Sequence, residues 1–229
     1  MDTMGSSGDP GTETGLPNPF YKAPMSRGKR IWRAARWPIY TILIAYIALV
    51  IYRIPAVDEQ ARTKDAVAFI HSQKITLDDV MGKNIPHIPD ATISSTTIAG
   101  VDENRNGIRD DVEIWILENH FPSARIRAAE MQYALALQLE LTQVFNSGTL
   151  VAASQEASRG LGCLFESAAA STLIERNTIT RGLMSEVENL MLNTEIRKQK
   201  RNSVFEKYMV SHGDIEGQDC DIVPSTLPN

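Results

Sequence analysis

Between Asp102 and Glu113 the chain sets oxygen-bearing side chains at a regular spacing. Counted from Asp102 as position 1, Asn104 is at 3, Asn106 at 5, Asp110 at 9 and Glu113 at 12, with Gly107 at 6. Position 7 is Ile108, which can offer only its backbone carbonyl. Carboxylate and amide oxygens so spaced suit a hard cation, and calcium takes about six to eight oxygens in a flexible cage. In such a loop Glu113 supplies both carboxylate oxygens, Asp110 acts through a water, and Gly107 allows the sharp turn. The plainer reading is an Asx-rich turn capping the helix that carries Glu113. It gives no reason for Asp110 and Glu113 together, so calcium is the expected ligand.

These twelve residues resemble the EF-hand loop and the related loops of dockerins and thrombospondin type 3 repeats. The resemblance implies calcium ligation by Asp102, Asn104, Asn106, Ile108, Asp110 and Glu113. Two departures matter. The aliphatic residue that normally follows position 7 is replaced by Arg109, with Ile108 one place early. The entering segment, with Pro86, Pro89 and a Ser/Thr run, does not read as a helix. No second loop is present in the sequence. A lone loop with only an exiting helix argues against a calmodulin-like switch. Two of its ligands are neutral asparagines, which places the affinity in the regime of extracellular modules, about 10⁻⁴–10⁻³ M. The longer string Gly100–Glu113, with Arg127–Ala134, is also similar to bacterial secreted or membrane-anchored proteins that carry no assigned activity. That similarity extends from about Ile70 to Cys163.

The loop needs elements to hold it. At 229 residues, 43% hydrophobic and 22% charged, the chain can bury an ordinary core. Charge is uneven: residues 1–53 carry seven Lys/Arg and three Asp/Glu, whereas residues 54–229 carry 16 and 25. So acidic a main domain excludes nucleic acid as a partner, because that needs a basic footprint. Residues 1–26 are rich in Gly, Ser and Pro and poor in aliphatic residues, and read as a disordered cytoplasmic tail. Residues 27–53 read as a basic arm and transmembrane anchor. Lys22, Arg27, Lys29, Arg30, Arg33 and Arg36 precede Trp37–Tyr52, 16 residues without a charge. That is slightly short for a span of about 17–25 residues, but Arg36 and Arg53 can snorkel and the flanking Trp and Tyr can sit at the interfaces. The basic side stays in the cytoplasm, so the rest of the chain lies outside the cytoplasmic membrane. A cleaved signal peptide is the rival; Ile54-Pro55-Ala56 is a poor cleavage site.

Residues 54–100 read as a stalk, with helical periodicity from Asp58 to Gln73, a short turn at Thr76–Val80 and an extended linker at Asn84–Pro89. Residues 101–229 read as a helical domain. The spacing predicts helices over Asp111–Asn119, from Ser123 to about Asn146, over about Leu150–Ala170, and over about Arg181–Tyr208. The second is apolar nearly all round and is the expected centre of the bundle. The fold class is therefore mainly α: one N-terminal transmembrane helix, then an extracytoplasmic helical bundle with one calcium-binding loop. Outside the cytoplasm Cys163 and Cys220 can form a disulfide that staples the tail to the third helix. Arg197, Lys198, Lys200 and Arg201 read as a solvated basic face. His71, His87, His120 and His212 show no metal-ligand spacing, and Glu130, Glu140, Glu186 and Glu188 read as helix-surface residues.

No phosphate loop, dinucleotide motif, zinc ligand set or nucleophile motif is present in the sequence. The expected function is a non-enzymatic binding or scaffolding module of the cell envelope, stabilised by calcium. Its partners are the lipid bilayer and an envelope protein or cell-wall component. Two alternatives stand: a cell-wall hydrolase, which needs a cleft holding a glutamate of raised pKa, and a calcium sensor that exposes an apolar face.

Overall fold

The computed structural model describes residues 27–213 and 217–228. The tail expected to be disordered, 1–26, lies outside them. The chain divides into two compact units, Met1–Pro55 and Ala56–Asn229. Helix α1 spans Arg27–Ser72 and contains the charge-free run. Its stretch Arg36–Ser72 is long and apolar enough to cross a membrane, with a mean hydropathy of 1.9 over its most apolar window.

In the second unit most helices beyond α1 begin on a side-chain cap. Helix α2 (Leu77–Val80) starts on a capping box in which Thr76 and Asp79 bond each other's backbone N–H. Residues 85–90 have no regular structure, as two prolines require. The Ser/Thr-rich segment, expected to be irregular, forms helix α3 (Ala91–Thr96) because the Asp90 carboxylate accepts from Thr92 N–H. Helix α4 is Asp110–Asn119. Helix α5 (Ala124–Gln143) begins where Ser123 Oγ accepts from Ile126 N–H, as the sequence predicts. Asn146, read as part of a helix stop, is instead the cap of α6 (Ser147–Ser167), sharing a capping box with Thr149.

The single helix expected over Arg181–Tyr208 is two: α7 (Leu173–Met191), capped by Thr172, and α8 (Glu195–Tyr208). A 3₁₀ turn, Pro224–Thr226, follows.

Helix α5 is the hub, packing against α2, α4, α6, α7 and α8. Sixteen of its 20 residues are buried, which is why its sequence is apolar nearly all round. The core around it includes Ile70, Ile108, Ile116, Leu137, Leu164 and Met191, all fully or almost fully buried. Each such side chain contributes about 1.5–3 kcal/mol by leaving water. Helix α6 approaches closely because Gly160 has no side chain: a Cβ there would lie 2.9 Å from Tyr133 Cα.

The segment beyond α8 is strapped onto this hub. Cys163 and Cys220 form a disulfide, as expected, across a sequence separation of 57. Gln132 on α5 donates to Asp219 O (2.7 Å) and accepts from Asp221 N–H (2.8 Å). Asp221 also pairs with Arg159 at 2.9 Å and Lys74 at 3.3 Å.

Candidate functional site

The 102–109 segment is a tight turn folded on its own side chains, and it runs into the first turn of α4, which carries Asp110 and Glu113. Asp102 Oδ2 accepts from Gly107 N–H (3.0 Å), Asn104 Oδ1 from Asn106 N–H (3.2 Å) and Asn106 Oδ1 from Ile108 N–H (2.9 Å). Both Asp110 oxygens accept from Glu103 N–H, at 3.0 and 3.1 Å. Asn104 Nδ2 donates to Glu113 Oε2 at 2.9 Å. The turn therefore links Asp102 to Gly107 and Asn104 to Glu113, while Asp110 leans back onto the loop backbone. Gly107 sits at φ +86°, and a Cβ there would meet Leu135 at 2.7 Å, so the turn rests directly on α5. Ile108 is buried in the core at 0% exposure.

Two of the loop's carboxylates are buried, whereas Asp102 is half-buried and Glu103 and Arg105 are exposed. Asp110 is 0% and Glu113 1% exposed. Burial, opposed by the Asn104 amide, pushes Glu113 up to about 7, and burial also raises Asp110. Asp102 Oδ1 and Asn106 Nδ2 are buried without a hydrogen-bond partner. The donor set is oxygen-rich, carries three carboxylates and leaves one carboxylate oxygen unpaired. A divalent cation of calcium type fits such a set.

Two buried arginines bracket the turn. Arg109, next to Ile108, holds Asp111 through two 2.8 Å bonds and donates to the carbonyls of Met191 (3.2 Å) and Leu190 (3.1 Å). Burial works against the Asp111 carboxylate, but the Arg109 bonds outweigh it and lower its pKa. Arg197, on α8, donates to the carbonyls of Ser94, Thr97 and Ile98, just before the loop. Arg197 is 0% exposed and so is not part of a solvated basic face, whereas Lys198 of the same run is exposed. Burial, then the neighbouring Arg109, lowers it to about 10.

A second group gathers at the far end of α4. His120, its C-terminal cap, lies with Nε2 3.3 Å from Glu130 Oε2 on α5 and 3.6 Å from Glu186 Oε2 on α7. The three ligand atoms lie within 4.8 Å of one another, a set able to coordinate a metal ion. The sequence shows no ligand spacing here; Glu186 is the surface residue that the sequence suggests, its side chain 49% exposed, but Glu130 is not. Chain separations of 10 and 56 residues carry no local signal, and Glu130 is 0% exposed.

Glu140, also read as a surface residue, is 2% exposed. Burial pushes it up to about 7 against the pull of Arg201, whose Nε is 3.3 Å away; Arg201 also reaches Glu188, which accepts from Tyr133 OH. A folded-state pKa above the unfolded value means that the folded state binds the extra proton. Glu140's contribution is therefore fully present below about pH 4.5 and is lost as pH rises through about 7. Glu140→Gln is expected to flatten the stability profile in that window, measured by chemical unfolding at several pH values. An unchanged slope would contradict this.

A cleft of about 770 Å³ opens near α6 and α7, lined by Leu161, Phe165, Arg176, Thr180, Met184 and Asp219 among others. Glu113, Glu130 and Glu140, whose pKa values are raised, do not line it. Comparison of the chain with protein-family models, with curated proteins and with solved structures gives no match.

Proposed function

We propose that the chain is a membrane-anchored helical domain held outside the cytoplasm, with calcium bound in the 102–113 loop as a structural clamp. It serves as a non-enzymatic binding or scaffolding module of the cell envelope. The observation that carries the calcium reading is the buried, unpartnered Asp102 Oδ1 in a turn that also buries the Asp110 and Glu113 carboxylates. A cation there would satisfy that oxygen and offset the cost of burying the Asp110 and Glu113 carboxylates. A clamp is favoured over a sensor because the turn is already seated: Ile108 is in the core and Gly107 lies against Leu135.

Two observations support the compartment. The disulfide suits an oxidising environment. The basic run before the apolar stretch of α1 orients the anchor with that side in the cytoplasm.

Titration calorimetry of the full chain in detergent micelles tests the clamp. One equivalent of calcium is expected. Glu113→Gln should weaken uptake by more than the roughly tenfold to hundredfold that losing a supporting group costs. Absence of binding heat, or uptake indifferent to Glu113→Gln, overturns the reading.

A further inference from the structure

We infer that His120, Glu130 and Glu186 form a second metal site, for a zinc-class divalent transition ion, with one coordination position left to water or a small ligand. Each of three helices supplies one ligand: the C-terminal cap of α4, the first half of α5 and the second half of α7. The separations from His120 Nε2 are 3.3 and 3.6 Å. Ligands about 2.0–2.1 Å from a tetrahedral ion lie about 3.3–3.4 Å apart, close to both separations from the imidazole, and all three atoms lie within 4.8 Å of one another.

A second observation is independent of the spacing. Glu130 is 0% exposed, yet neither of its carboxylate oxygens has a hydrogen-bond partner, and His120 Nε2 is likewise buried and unpartnered. His120 and Glu130 are close enough to pair but are not aligned to hydrogen-bond. Atoms that approach closely without pointing at each other are what a shared ion produces. Leaving three buried polar atoms unsatisfied is otherwise costly, and Glu186 adds like charge beside Glu130.

The chemistry separates this site from the loop. One imidazole and two carboxylates suit zinc and its first-row neighbours, whereas calcium prefers oxygen alone. The site is preorganised: Arg127 Nη1 donates to the His120 carbonyl at 3.2 Å, which fixes the turn carrying the imidazole. It is also reachable, since the Glu186 side chain is 49% and that of His120 22% exposed. That exposure leaves room for entry and for the open position. Both cysteines are in the disulfide, so no thiolate competes for the ion.

The test uses the full chain in detergent, cleared of metal by chelation and then supplied with calcium in excess. Cobalt(II) is added as a coloured probe and zinc as its competitor. One equivalent of cobalt should bind with the strong visible absorption of a four-coordinate ion, and zinc should displace it. His120→Ala, Glu130→Gln and Glu186→Gln should each weaken binding at least about tenfold. Glu113→Gln should leave it unchanged, which separates this site from the loop. Glu186→Gln is decisive if the buried variants misfold, because its side chain is half exposed. No cobalt uptake, or an absorption that survives Glu186→Gln in folded protein, overturns the inference.

Discussion

Arg109→Met should lower the stability of the helical domain by about 3–5 kcal/mol, the usual cost of removing one partner from a buried charged pair. For a domain of this size that is a fall in Tm of roughly 6–20 °C. Arg109 is fully buried, and its guanidinium serves the Asp111 carboxylate and the carbonyls of Leu190 and Met191. Methionine fills similar space but leaves those carbonyls, the last of α7, without a donor. Arg109→Lys should recover only part of the loss, because an ammonium has three donors and no planar fork, and cannot make the four bonds that the guanidinium makes to Asp111, Leu190 and Met191. Denaturant unfolding followed by circular dichroism measures both. A loss below about 1 kcal/mol for Arg109→Met would mean that desolvating the guanidinium cancels what its bonds contribute.

Removing the disulfide with Cys163→Ala and Cys220→Ala together should cost about 4 kcal/mol, the chain-entropy value for a loop of this length. The separation of 57 residues sets that magnitude. The loss should be smaller if the remaining strap suffices alone: Asp221 would still hold Arg159 and Lys74, and Gln132 would still hold the 219–221 backbone. Unfolding of oxidised, reduced and doubly substituted protein distinguishes the cases. Equal stability in all three would show that the polar strap alone fixes the segment.

What was legible in the sequence was local. Ser123 announces α5, and the nearly unbroken apolar surface of that helix announces its central place. The two cysteines could be paired on compartment alone. The ring of Asp102, Asn104, Asn106, Asp110 and Glu113 could be picked out because turn chemistry is written in adjacent residues. What was hidden depends on residues distant in the chain. The break between α7 and α8 follows no proline or glycine; the α7 carbonyls are satisfied instead by Arg109, more than 80 residues earlier. Arg197 looked like part of a basic face because its partners, the carbonyls of Ser94, Thr97 and Ile98, have no sequence signature. Glu130 and Glu140 looked like surface acids because polar residues on helices usually are. On a helix surrounded on all sides they had nowhere else to go. His120 gained its neighbours only through the packing of α4, α5 and α7.

The strap also imposes an order in time. Cys163 precedes Cys220 by 57 residues. At roughly 5–20 residues per second of synthesis, it emerges about 3–11 s before its partner. For that interval it is a lone thiol on a half-built bundle, available to an oxidant or to the cysteine of another copy. The later segment brings Cys220 together with Asp219 and Asp221, whose bonds to Gln132, Arg159 and Lys74 align it. The bond thus closes after α8 has been made, as a latch fastened by the segment that arrives last.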